Sequence, residues 1–95
     1  MKVVKLETPG GNKSPEQVVF IGDVKIVFQS YNSIICEYDK NTMKLEVFKD
    51  WDYSRTTMRY LWQFLQEYTP YRISSKKEFL DYVSKHDLVT LNLDK

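Results

Sequence analysis

The chain has 95 residues, 42% of them hydrophobic and 28% charged, a size that supports one hydrophobic core and rarely two. Fourteen basic residues against thirteen acidic ones leave a formal net charge of +1, which excludes a global electrostatic pull toward nucleic acid or an anionic membrane surface. No run reaches the roughly 18 apolar residues of a membrane span, Met1 to Leu6 is too short and polar for a signal peptide, and the one cysteine, Cys36, has no internal partner. The expectation is a soluble, cytoplasmic protein without disulfides, held together by packing.

Lys2 to Leu6 is a short strand-like run, read either as a paired strand or as part of a mobile arm. The segment 7–16 holds two of the three Pro and two of the three Gly and reads as a flexible loop or linker. Val18 to Ile21 and Val24 to Phe28 flank Gly22-Asp23, a hairpin signal in which Gly takes the positive φ of a tight turn. Val24, Ile26 and Phe28 share the core face by the period of two, opposite Lys25 and Gln29. Ile34 to Tyr38 is the next strand. After the polar turn Asp39-Lys40-Asn41, Met43, Leu45 and Val47 alternate with Lys44 and Glu46 as a half-buried strand. These four middle strands predict an antiparallel meander.

The period then lengthens to that of a helix. Ser54 is an N-cap residue, and Met58, Leu61, Trp62, Leu65 and Tyr68 recur at spacings of three and four, predicting one apolar stripe on a helix from about Arg55 to Tyr68 that Pro70 stops. Ser75-Lys76-Lys77-Glu78 spells a capping box. It opens a second helix with Phe79, Leu80 and Val83 as its apolar stripe, ending near His86-Asp87. Leu88 to Leu93 reads as a last strand. The predicted fold is a single α+β domain over residues 1–95: a mainly antiparallel β-sheet, a four-strand meander plus terminal strands, with two C-terminal helices packed on one face.

The motifs that carry chemistry are few. One Cys and one His, Cys36 and His86, do not make a metal centre, and no metal or cofactor is expected. Cys36 among Ile34, Ile35 and Tyr38 reads as a buried strand cysteine, and His86 as a residue complementing a helix C-terminus. Gly10-Gly11 lacks the Lys and Ser/Thr of a phosphate-binding loop. Asp50-Trp51-Asp52 raises a divalent cation or a general acid pair, but no third ligand is near in sequence, and carboxylates ahead of a helix are ordinary. The chain is therefore expected not to be an enzyme.

Arg55, Arg59, Trp62 and Gln66 fall on one helical stripe, with Tyr60, Phe64, Tyr71 and Arg72 beside it. Three readings stand together: Trp62 as core with the arginines solvated, a protein-binding face, or a surface that stacks bases and neutralises phosphates. A homodimer through an exposed edge strand, Lys2 to Leu6 or Leu88 to Leu93, is a fourth possibility.

Phe28-Gln29-Ser30-Tyr31-Asn32-Ser33-Ile34-Ile35 and Trp51-Asp52-Tyr53-Ser54-Arg55-Thr56-Thr57, followed by Met58-Arg59-Tyr60 and Phe64-Leu65, carry a resemblance. The spelling F-x-S-Y-x-[ST]-x-I, then W-D-Y-S-x-T-T, resembles a family of small uncharacterised proteins of phages and prophages of Gram-positive bacteria, across about Phe28 to Leu65. The resemblance implies a phage-type accessory protein in a bacterial cytoplasm, with no assigned reaction. On its residues alone the motif has two readings. As a folding signature, Asp52 or Ser54 caps the helix, Trp51 staples it, and Ser30 and Tyr31 bond the helix start. As a functional surface, Ser30, Tyr31, Tyr53, Ser54, Thr57 and Arg59 line a polar-aromatic groove. The resulting expectation is a non-enzymatic protein that binds a host or phage macromolecule, inhibiting a defence or replication protein in the manner of anti-CRISPR proteins. Arg55, Arg59, Trp62, Tyr71 and Arg72 are its contact residues, and a nucleic-acid-binding module using the same face is the alternative.

Overall fold

Alternation of apolar and polar residues in the first half of the chain produces five strands: β1 (Lys2–Glu7), β2 (Lys13–Ile21), β3 (Lys25–Ser30), β4 (Ser33–Asp39) and β5 (Leu45–Phe48). In the computed structural model, which describes Met1–Lys95, each runs antiparallel to the one before it. A 3₁₀ turn at Lys49–Asp52 leads into α1 (Arg55–Tyr68) and α2 (Lys76–Lys85). The chain then returns as β6 (Val89–Asn92), parallel to β5, and completes a six-stranded sheet in sequential order. The parallel pairing follows from length, because the two helices supply the long crossover that a parallel neighbour needs. This is the expected α+β architecture, with β1 and β6 as the two edges and the helices against the sheet. No helix is long and apolar enough to cross a membrane.

Seventeen buried side chains form the core. Val19, Phe28, Cys36 and Val47 rise from the sheet to meet Leu61, Phe64 and Leu65 of α1 and Phe79 of α2. Phe28 stacks on Phe64 with ring centroids 5.5 Å apart. Cys36 is fully buried, and desolvation raises its thiol pKa far above the ordinary range. On the opposite face the strand register lines up Val3, Phe20 and Val27, with Val18 and Ile34 in the next row.

Several expectations need correction. Half of segment 7–16 is strand: Glu7 ends β1, Lys13 to Glu16 open β2, and the connection shrinks to Thr8–Asn12. That loop is closed by Thr8 N–H donating to the Asn12 carbonyl at 2.7 Å and by Gly11 at φ 87°. Gly22 does not have a positive φ. Its small size is used instead, since its N–H reaches the Lys25 carbonyl at 2.8 Å and an added Cβ would lie 3.1 Å from that oxygen. Val24 and Met43 were expected on core-facing strand positions, yet both sit exposed in turns.

The Met43 turn has a definite cause. The Asp39 carboxylate accepts from the N–H groups of Asn41 and Thr42 at 2.8 and 3.0 Å, and Met43 N–H donates to the Asp39 carbonyl at 2.8 Å. The hydrogen bond from the Thr42 amide is the main reason the Asp39 pKa lies below its ordinary value. The reversal forces Met43 to φ 64°, a conformation that costs an unbranched side chain about 1 kcal/mol.

α1 buries Thr57, Tyr60, Leu61, Phe64 and Leu65. Its core stripe is therefore turned by one position from the predicted one, leaving Met58, Trp62 and Tyr68 as half-buried flanks. Tyr60 and Phe64, weighed above as base-stacking surface, are core. In α2 only Phe79 is fully buried, with Tyr82 and Val83 beside it, and Leu80 faces outward. Both helices and the 3₁₀ turn meet in one aromatic cluster. The Trp51 ring lies 4.6 Å from Phe79 and 6.4 Å from Trp62, and Trp62 lies 6.1 Å from Phe79. Trp51 is thus a bridge to α2 rather than a staple within the first turn of α1.

Ser75 caps α2 as predicted, accepting from Glu78 N–H at 3.1 Å. Glu78 reaches back one residue further than the standard box. Its Oε1 accepts from the Ser74 hydroxyl at 2.8 Å and the Ser74 N–H at 3.1 Å, and these bonds lower its pKa.

Two predictions follow from these local geometries. Met43→Asn, which tolerates the left-handed backbone, should raise stability by about 0.5–1 kcal/mol, read as a higher denaturant midpoint with an unchanged slope. For Glu78 the folded pKa is depressed, so its contribution is present above the ordinary value of 4.5 and lost as the pH falls below it. The stability difference between the wild type and Glu78→Gln should accordingly be full at neutral pH and vanish in acid, as followed by thermal melts across pH 2 to 7.

Candidate functional site

The two sequence motifs fold against each other. The first supplies the end of β3, the β3–β4 turn and the start of β4, and the second supplies the 3₁₀ turn and the first turn of α1. Ser54 adopts extended backbone and caps α1, its Oγ accepting from Thr57 N–H at 3.0 Å and its hydroxyl donating to Thr57 Oγ1 at 3.2 Å. Thr57 Oγ1 lies 3.1 Å from Ser30 Oγ across a buried contact. The hydroxyls of Ser54, Thr57 and Ser30 thus form one hydrogen-bonded chain from helix cap to sheet. Ser30 pairs across the strand with Gln17, whose side chain is 1% exposed and whose Oε1 has no hydrogen-bond partner.

Ser33, one turn further along the first motif, donates to Asp50 Oδ2 at 2.8 Å, a second tie between sheet and 3₁₀ turn. Asp52 takes no part in it and pairs instead with Lys76 at 3.6 Å, where the lysine also lies over the Trp51 ring at 5.7 Å. Asp50 and Asp52 are thus committed to different partners. No group of three or more His, Cys, Asp or Glu side chains is arranged to hold a metal ion.

Between these ties lies a groove of about 650 Å³, lined by Ser30, Tyr31, Asn32, Ser33, Ile35, Asp50, Tyr53, Ser54, Thr56 and Thr57. Five of the six residues assigned above to a polar-aromatic groove are there, and Arg59 is not. Tyr31 is held in the left-handed region at φ 56°. Its N–H donates to the Glu16 carbonyl at 2.8 Å and its own carbonyl accepts from Gln29 Nε2 at 3.0 Å. An aromatic residue in that backbone region is unusual and costs on the order of 1–2 kcal/mol. Tyr31 stays 51% exposed and Tyr53 79% exposed. These are the only two of the fourteen aromatic residues classed as exposed, and both line this groove.

The arginine and aromatic set is dispersed by comparison. Arg55 and Arg59 are exposed on α1, Arg59 lying over its neighbour Tyr60 at 4.9 Å. Trp62 belongs to the Trp51–Phe79 cluster. Tyr71 packs between Tyr38 and Tyr82 and donates its hydroxyl to the Met43 carbonyl, pinning the β4–β5 turn to the helix connection. Arg72 donates to the carbonyls of Gln66 and Thr69 at 3.0 and 3.2 Å, closing the C-terminal end of α1. Trp62, Tyr71 and Arg72 therefore do structural work. The sequence signal for the groove is the pair of aromatics, Tyr31 and Tyr53, in turn-forming contexts where neither strand nor helix period assigns them to the core; Asn32, Ser33, Ile35, Asp50 and Thr56 are the lining residues it does not name.

Thr57→Val keeps the shape of the side chain and removes the hydroxyl. It should cost about 2 kcal/mol by denaturant unfolding, since the Ser30 hydroxyl loses its partner in a buried position. Ser30→Ala combined with Thr57→Val should cost less than the sum of the two single changes, because both ends of the buried contact are then apolar.

No curated protein and no solved structure matches the chain. The matched family extends from β1 into α2 and so contains both motifs and the whole groove: over residues 2–81 the chain belongs to a family of unknown function, DUF8033.

Proposed function

We propose that this protein is a non-enzymatic binding protein that acts by stoichiometric association with a protein partner, and that the groove between the β3–β4 turn and the start of α1 is its docking site. The observation that carries the reading is the segregation of the aromatics: twelve of fourteen are at least partly buried, and the two exposed ones, Tyr31 and Tyr53, border one groove. Tyrosine supplies a large contact area with little side-chain entropy to lose, which is why it concentrates at protein interfaces. The left-handed backbone at Tyr31 supports the same reading, since it is a backbone cost met at a residue that borders the groove.

The chemistry of the other polar groups fits this class. Cys36 is buried with its pKa raised, and His86 is exposed after α2 and stacked on Tyr82 at 4.3 Å. Neither lines the groove. The phage-type resemblance of the two motifs supports a partner encoded by host or phage and an outcome of inhibition, in which the docked protein covers a working surface of its partner.

The test is a paired capture. Wild-type protein and the double variant Tyr31→Asn, Tyr53→Ser are each immobilised and exposed to nuclease-treated lysate of a Gram-positive host, with bound proteins identified by mass spectrometry. A protein retained by the wild type and lost by the double variant, at an unchanged melting temperature, is the expected result. Equal capture by both would overturn the groove as the docking site.

A further inference from the structure

The groove's electrostatics select the chemistry of its occupant. Among its ten lining residues Asp50 is the one carboxylate, and no lysine, arginine or histidine is present. Asp50 is half-buried, forms none of the four ion pairs of the chain, and uses only Oδ2 for a hydrogen bond, with Ser33. Oδ1 has no hydrogen bond. Lys95 shares with Asp50 the neighbouring depression on the β4 side but forms no ion pair with it. The positive end of the α1 dipole also faces this region, but it amounts to about half a charge and is capped by Ser54. A full carboxylate charge outweighs it.

A carboxylate with one free oxygen, beside exposed tyrosine rings contributed by two separate elements, fits a planar cation. The face of an aromatic ring attracts a cation through its quadrupole. A guanidinium adds to this a flat surface that stacks and a fork of N–H donors that suits a carboxylate. We infer that the groove receives an arginine side chain of the partner protein, held by Asp50 and stacked against Tyr31 or Tyr53. The inference rests on the docking site proposed above and adds the identity of the group that enters it.

The probe is the capped tripeptide Gly-Arg-Gly, with the same peptide carrying citrulline or Glu in place of Arg as controls. Citrulline keeps the shape of arginine and lacks its charge. Binding is followed by NMR shifts of the ring protons of Tyr31 and Tyr53 in the full chain. The Arg peptide should bind in the millimolar range, at least about fivefold tighter than the citrulline peptide, and Asp50→Asn should abolish that preference. The asparagine side chain can still accept from Ser33, so the fold is retained. Equal affinity for Arg and citrulline, preference for the Glu peptide, or a preference that survives Asp50→Asn would each overturn the inference. Failure here is distinguishable from failure of the docking site: in the paired capture, loss of the partner on changing the two tyrosines with full retention by Asp50→Asn keeps the site and removes the arginine.

Discussion

The hydroxyl of Thr57 decides where the helical half of this molecule sits on its sheet. It is buried between the last residue of β3 and the cap of α1, accepting from Ser54 and meeting Ser30 at 3.1 Å. An apolar core alone tolerates small slides of a helix along a sheet, since dispersion and burial are non-directional. A hydrogen-bonded chain of three hydroxyls does not, because a displacement of about 1 Å takes a buried bond out of range. With the start of α1 tied to Ser30, and the 3₁₀ turn tied to β4 through Ser33 and Asp50, the two motif segments are held close but not in contact along their length. The groove is the space those two ties leave.

The second constraint is aromatic. The 3₁₀ turn has only four residues, and by itself it has little to hold it. It is fixed by Trp51, which meets Trp62 of α1 and Phe79 of α2. One side chain thereby sets the relation between the two helices, and α2 needs little else, since Phe79 is its only fully buried residue. The division of the motif is then clear. Trp51, Ser54, Thr57 and Ser30 build, while Tyr31 and Tyr53 project from what is built. The folding reading and the groove reading of the motif are compatible because Ser30, Ser54 and Thr57 serve both, tying helix to sheet while lining the groove.

This division also explains what the sequence disclosed. The strands, both helix caps, the order of elements and the two edges were legible because each rests on local periodicity or on a capping side chain. The rotation of the α1 stripe was not. Thr57 reads as a polar surface residue until Ser30 is known to lie opposite, and Trp62 reads as part of an arginine face until Trp51 and Phe79 are placed against it. The left-handed backbone at Tyr31 and Met43 was equally hidden, since neither residue type announces it. At Met43 the bonds of Asp39 close the turn, and at Tyr31 the residue's own N–H reaches the Glu16 carbonyl on β2. The Pro and Gly content of 7–16 overstates the loop, because Pro15 stands exposed within β2, beside the bulged end of the β1 pairing.

The edges bear on how such a protein associates. β1 is open on one side of the sheet, but it carries Lys2 and Lys5, both exposed, and lysines on an edge strand discourage the addition of another strand. β6 offers only four residues, too few for a strong ladder. Self-pairing through either edge therefore has little in its favour, whereas both sides of the groove are tied by side-chain hydrogen bonds. The left-handed backbone at Tyr31 is held within the fold, by its N–H on the Glu16 carbonyl and its carbonyl on Gln29. Of the two non-glycine residues held in the left-handed region, Met43 closes a turn that Asp39 caps, and Tyr31 borders the groove.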